Sequence, residues 1–229
     1  MPETRRFVVA DEVKAPERIN RKRFALIAVT AFASTLYLSP ASQFQNDFLQ
    51  DEQGYSATQI SLFRLLISTP VGIPILAAGY FADRRGRKPI GGFGVALGAL
   101  ASLAAYFSTG ALLWIFSAAS IWLLAAAFTV LRSYSTELFP TRSRARVGGW
   151  MDVIGVSGSV VGLVVVGRLA TEFGSFGPAL SVMIFGPLLT AFLVLFFYPE
   201  TASKELEEFN ESDPTMADVR AQTGGTDVP

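Results

Sequence analysis

Apolar residues form six long blocks along the chain, and short polar connections separate them. A helix that crosses the hydrocarbon core of a bilayer needs about 20 mostly apolar residues, because no water is present there to satisfy backbone polar groups. Each block meets that requirement. The predicted spans are Phe24–Phe44, Thr58–Tyr80, Pro89–Phe107, Ala111–Tyr134, Val147–Ala170 and Ser175–Tyr198. The pattern predicts an all-α membrane protein with six transmembrane helices.

Lysine and arginine concentrate in alternate connections, which predicts the orientation of the chain. The segments 45–57 and 108–110 contain neither residue type. The basic clusters lie before the first span and after the second and fourth: Arg21, Lys22, Arg23; Arg84, Arg85, Arg87, Lys88; Arg132, Arg142, Arg144, Arg146. Because such clusters stay on the cytoplasmic side, we expect a multi-pass protein of the plasma or inner membrane with both termini in the cytoplasm.

Composition narrows the class of protein. The chain is 51% hydrophobic and 17% charged, against about 25% charged in a typical soluble domain. The alternative is a soluble all-helical bundle, but six consecutive spans with this charge sorting disfavour it. With no cysteine and no histidine, the commonest metal ligands and the commonest neutral-pH acid/base are missing. We therefore expect neither an enzyme nor a cofactor or metal site. Short basic clusters lack the continuous stripe that nucleic acid requires.

Two features of the spans predict how the helices pack. Pro70 and Pro74 each remove a backbone donor, so the second span should be kinked. Small residues recur at helical spacing in the third and fifth spans: Gly91, Gly94, Gly98; Gly155, Gly158, Gly162. Such faces allow close backbone packing, and a contact that slides during transport would show the same pattern.

The connection after the second span carries the strongest local motif, GYFADRRGRKP. It resembles the signature loop of the major facilitator superfamily, G-x-L-[GAS]-[DN]-[RK]-x-G-R-[RK]. The matching residues are Gly79, Asp83, Arg84, Gly86, Arg87 and Lys88. Phe81 replaces the usual leucine, and Arg85 stands where an aromatic residue is common. The resemblance implies a cytoplasmic gate held by ion pairs, and the same arginines also serve as a topology anchor.

A second motif follows the fourth span. Glu137, Pro140 and Arg144 resemble the E-x-x-P-x-x-x-R loop of sugar porters and related metabolite symporters. That resemblance implies a second gate loop, which includes Arg132 and forms a charge network with Asp83 and Arg87 of the signature loop.

Two P-E-T triplets, at residues 2–4 and 199–201, resemble the sequence that closes each half of sugar-porter-like proteins, although the usual basic residue after the second triplet is absent. The resemblance implies the C-terminal six-helix half of a twelve-helix bundle. Residues 1–23 would be a cytoplasmic remnant of the loop between halves, 24–198 the transmembrane domain, and 199–229 a disordered cytoplasmic tail. A truncated gene, a misassigned start codon or a true half-size protein would each explain why the chain resembles only one half.

Polar groups inside the spans are candidates for a substrate or proton site, because burying a charge in a bilayer is costly. Arg64 lies in the second span and could bind a carboxylate or extend to the headgroups. Asp152, in the fifth, could carry a proton or pair with a gate arginine. Tyr37, Gln43 and Asn46 offer hydrogen-bonding groups in or just after the first.

Together these features predict a half unit of a secondary active transporter, which moves a small metabolite by alternating access with proton coupling. The expected partners are the substrate, the lipid bilayer, and a missing N-terminal half or a second copy in a homodimer. The alternative is a non-transporting remnant or assembly module. Sugars, carboxylates and aromatic acids all remain open as substrates.

Overall fold

The computed structural model describes residues 20–137, 139 and 141–199. Within this part of the chain, six helices are long and apolar enough to cross a membrane. They are α1 (Arg21–Glu52), α2 (Ala57–Arg85), α3 (Arg87–Tyr106), α4 (Gly110–Glu137), α5 (Thr141–Phe173) and α6 (Phe176–Phe197). The predicted all-α membrane fold with six spans is confirmed.

Helix α1 is longer than predicted, because the segment after Phe44 continues as helix instead of forming a loop. A turn at Gln45–Asp47 leads into a π-helical turn at Phe48–Glu52. Phe48 and Leu49 are buried, and the Phe48 ring packs 4.6 Å from that of Tyr106. Burial of these two side chains keeps the segment helical, so the expectation of a loop was wrong.

The end of α1 caps the start of α6. Ser175 precedes α6 and makes no capping bond to its own helix. Instead the Glu52 carboxylate accepts from the Ser175 hydroxyl and from the Phe176 N–H, both at 2.8 Å. A carboxylate at a helix N-terminus satisfies orphan donors and complements the helix dipole. This contact joins the end of α1 to the start of α6, two helices that are far apart in sequence.

Helix α2 is interrupted as predicted. A capping box of Ser56 and Gln59 starts the helix. Its segments Ala57–Ser68 and Gly72–Arg85 are joined by a 3₁₀ turn at Thr69–Val71. Pro70 lies in this turn, where its missing N–H breaks the α-helical hydrogen-bond ladder.

The helices are neighbours in the order α2, α4, α3, α6, α1, α5. Glycines create two of the closest contacts. Gly94 and Gly98 of α3 lie against α4, and Gly158 and Gly162 of α5 lie against the backbone of α1. Both predicted glycine faces therefore serve helix packing.

Helices α2 and α5 stand at the two ends of this order and are the least buried. In each of these two helices, 17% of the most apolar 18-residue stretch is buried inside the bundle, against 28–44% in the other four helices. Their exposed side chains are mainly aliphatic, as in Leu66 and Leu76 of α2 and Val160 and Val164 of α5.

Candidate functional site

A cavity of about 350 Å³ lies between α1, α2, α3 and α4. Its polar lining includes Ser42, Gln43, Gln45, Asn46, Arg64, Ser68, Ser102 and Ser120. Its apolar lining comes from Leu38, Ala41, Phe63, Ile67, Ile121 and Leu124. The cavity thus combines a polar wall, rich in hydroxyls and amides, with an apolar wall that contains one aromatic ring.

Arg64 is the charged side chain among the described residues that line this cavity. Its Nη2 donates to the Ser42 carbonyl at 3.4 Å. Within the described chain, no carboxylate lies within ion-pair distance of its guanidinium. A guanidinium has five N–H donors, so most of the N–H groups of Arg64 remain available to hydrogen-bond another partner.

The helical periodicity of α2 explains why Arg64 faces the cavity. Phe63 and Ile67 are buried one turn apart and fix the first segment of α2, Ala57–Ser68, against the bundle. Arg64 comes directly after Phe63, and Ser68 directly after Ile67. Both therefore lie on the adjacent face of the helix and reach the cavity. Leu66 projects to the exterior. This first segment therefore places one charge and one hydroxyl in the site.

The other predicted site residues divide into two groups. Gln43 and Asn46 line the cavity with Arg64. Tyr37 does not line it: the side chain is fully buried, and its hydroxyl donates to the Ala99 carbonyl at 3.5 Å. Asp152 lies on an exposed face of α5, away from the cavity lining.

Sequence reasoning missed the serines on the cavity wall. Ser102 of α3 and Ser120 of α4 are both at least nine-tenths buried and line the cavity. Single hydroxyls in apolar helices usually bond to their own backbone and serve packing. Nothing in the sequence therefore distinguishes these two serines from serines that only pack. Their shared location becomes visible only when α3 and α4 are placed beside α1.

The signature loop forms a tight turn between α2 and α3. Gly86 adopts φ +100°, a backbone conformation that favours glycine, and its N–H donates to the Ala82 carbonyl at 3.1 Å. Arg87 lies 3.8 Å from Asp83, whose side chain is 72% exposed. An ion pair this exposed contributes at most about 1 kcal/mol. The turn is therefore set by the backbone more than by this pair.

Aromatic rings orient two further arginines of this loop. Arg84 lies over the ring of Tyr80 at 4.1 Å, and Arg85 lies over the ring of Phe81 at 5.6 Å. Gly79 has open space where a side chain would begin. Lys88 lies in the first turn of α3.

The second predicted gate loop is described only in part. Arg132 is exposed near the end of α4. Phe139 is buried with Ile27, Val147 and Val194, and so anchors the loop to the bundle. The side chains of Glu137 and Arg144, and all of Pro140, lie outside the described residues. The charge network between the two loops stays a prediction.

Comparison with known proteins identifies the family. The sequence profile of the Major Facilitator Superfamily matches residues 24–222. The chain belongs to this superfamily. It is also similar to a Bacillus subtilis (strain 168) protein named "Putative niacin/nicotinamide transporter NiaP", with 29% identity over 164 residues. That match covers 68% of this chain and 39% of the relative, so the chain spans about two fifths of the relative's length. The predicted family is confirmed, and the chain is a multi-pass membrane protein of a transporter superfamily.

Proposed function

We propose that this chain is one half of a secondary transporter for small aromatic carboxylates, and that the Arg64 cavity binds the carboxylate. The observation that carries the proposal is the Arg64 guanidinium in the cavity without a carboxylate partner in the described chain. A charge within a membrane span is costly to bury and is usually retained for a function. Bidentate hydrogen bonding suits a guanidinium to a carboxylate.

The cavity favours a small, flat acid. Its volume of about 350 Å³ is near the lower end of the usual range for small-molecule sites, roughly 300–1,000 Å³. Phe63 and Ile67 offer an apolar wall to a ring, while Gln43 and Asn46 can bond to a ring heteroatom. The name of the similar B. subtilis protein includes niacin, a pyridine carboxylic acid with these groups. We therefore infer a substrate of the niacin type.

A partner of six further helices would complete the site. Helices α2 and α5, at the two ends of the helix order, present the least buried faces. The similar B. subtilis protein is more than twice as long as the matched segment. In transporters built from two halves, the substrate site lies between them. The proposed partner is an N-terminal half of six helices, with a second copy of this chain as the alternative. We further propose that both termini of this chain lie in the cytoplasm.

Proton coupling is part of the proposal, with Asp152 as the candidate carrier. Asp152 lies on the exposed face of α5, and no basic side chain of the described chain forms an ion pair with it. A carboxyl group on a face that meets the partner could bind and release the transported proton. Uptake measured with and without an inward proton gradient tests the coupling.

The decisive experiment compares Arg64→Gln with Arg168→Gln in reconstituted full chain, alone and with a candidate first half. Arg168 is an exposed charge on α5 outside the cavity lining, so its loss controls for net charge. We expect R64Q to weaken nicotinate binding about 10- to 100-fold, because each lost charge-assisted hydrogen bond contributes about 1.5–3 kcal/mol. Nicotinamide affinity should change little.

Two results would contradict this function. Unchanged affinity of R64Q for nicotinate would remove Arg64 from the site. Absence of binding and uptake by the unmodified chain, with or without the candidate first half, would favour a non-transporting remnant or assembly module.

A further inference from the structure

The break in α2 leaves one backbone carbonyl without its usual donor. In a 3₁₀ turn each carbonyl accepts from the N–H three residues later. For Ile67 that residue is Pro70, which has no N–H. The α-helical donor, four residues later, would be Val71, but Val71 belongs to the 3₁₀ turn, in which its N–H is directed to the Ser68 carbonyl. The 3₁₀ turn at Thr69–Val71 therefore interrupts the helix where the Ile67 carbonyl needs a partner. Ile67 is buried, and an unpaired buried carbonyl costs about 1–3 kcal/mol.

A side chain from α4 supplies the missing donor. The Trp122 indole Nε1 donates to the Ile67 carbonyl at 2.8 Å. The indole is part-buried between the two helices, where water is scarce. One hydrogen bond thus joins α4 to the bend of α2.

This bond lies directly behind the proposed substrate site. Ile67 is between Phe63 and Ser68 of the cavity lining, one turn from Arg64. On α4, Ile121, which precedes Trp122, and Leu124, two residues after it, also line the cavity. Trp122 itself is outside the lining, so it acts on the site through α2.

We propose that Trp122 is a positioning residue, which holds the bend of α2 and thereby fixes the first segment, Ala57–Ser68, that carries Arg64. The effect on substrate rests on the proposed function, whereas the effect on α2 does not. A purely space-filling role for the indole would depend on its volume and not on its N–H group.

A second tryptophan on the same helix provides a matched control. The Trp114 Nε1 donates to the Tyr55 hydroxyl at 3.1 Å, and its ring packs 4.7 Å from that of Phe63. Trp114→Phe also removes an indole N–H from α4, but its partner is a side chain that lies before α2. Only Trp122→Phe leaves the Ile67 carbonyl unpaired.

The first measurement is amide hydrogen exchange of the full chain in detergent micelles, read for peptides that cover residues 57–76. We expect Trp122→Phe to exchange about tenfold faster in these peptides, since loss of one buried bond raises local opening by that order. Trp114→Phe should leave residues 65–76 unchanged. Unaltered exchange in Trp122→Phe would overturn the proposal.

A double variant separates the hydrogen bond from packing. Pro70→Ala restores a backbone N–H in the turn, so the Ile67 carbonyl gains a donor from its own helix. In that background Trp122→Phe should have little further effect on exchange, because the two donors replace each other. If the acceleration persists in full, the indole acts through its volume, and the hydrogen-bond assignment is wrong.

Nicotinate binding supplies the second readout. We expect Trp122→Phe to weaken binding about fivefold or more, and Pro70→Ala in the same chain to restore part of that loss. Faster exchange with unchanged nicotinate affinity would overturn the link to Arg64. If the unmodified chain binds no nicotinate, the proposed function fails, and the exchange of residues 57–76 alone decides whether Trp122 positions the first segment of α2.

Discussion

Replacement of Gly162 by alanine tests the contact between α1 and α5 directly. A Cβ at this position would lie 2.9 Å from the carbonyl carbon and 3.0 Å from the Cα of Leu36, and nearer still to the Leu36 carbonyl oxygen. Backbone atoms cannot rotate away as a side chain can. The two helices would therefore have to separate by about 1 Å to bring the Leu36 carbonyl oxygen to ordinary van der Waals contact.

The expected loss of stability follows from this geometry. Overpacking costs about 1–3 kcal/mol, and contact with backbone places Gly162→Ala at the upper end. Separation would also weaken the bond of 2.7 Å between the Ser39 and Ser159 hydroxyls. Alanine gains about 1 kcal/mol of helix propensity. The net loss is about 2 kcal/mol, which corresponds to a Tm lower by about 4–8 °C for a chain of this size.

Gly149→Ala is the matched control, because Gly149 lies in the same helix with no atom within 4 Å of its added Cβ. Thermal unfolding of both variants in the same detergent gives the comparison. Gly149→Ala should be neutral or stabilised by up to about 1 kcal/mol. Equal stability of the two variants would refute the close packing of α5 on α1.

Two other contacts give predictions that thermal unfolding can check. Glu52→Ala removes the cap at the start of α6 and should cost about 1 kcal/mol, whereas Asp51→Ala on the same turn should cost little; similar values for both would exclude the capping role. Gly86→Ala forces a side chain into φ +100° and should cost about 1–3 kcal/mol, while Gly79→Ala has open space and should be tolerated. A stable Gly86→Ala would show that the turn adopts another conformation.

Much of the fold was predictable, because bilayer thickness and backbone chemistry act on local sequence. Apolar blocks of about 20 residues define the spans, and Pro70 marks the break in α2. The end of α1 was not predictable from the same rule. Gln45, Asn46 and Asp47 interrupt the apolar run, yet the buried Phe48 and Leu49 continue the helix.

The candidate site was predictable only where a residue is unusual for its surroundings. Arg64 is conspicuous because charge in a span is rare, and the structure places it in the cavity. Tyr37 carried a similar expectation, but a tyrosine can direct its hydroxyl to a neighbouring helix, here to Ala99. Trp122 gave no local signal, because its partner Ile67 lies 55 residues away in sequence.

The order of the helices has a consequence for biosynthesis. The main neighbours of α1 are α5 and α6, which leave the ribosome after α2, α3 and α4. At about 5–20 residues per second, the chain between α1 and the end of α5 takes on the order of ten seconds to synthesise. During that interval α1 must be sheltered by the insertion machinery or by lipid. A nascent chain arrested after α4 should therefore be a preferred target of quality-control proteases.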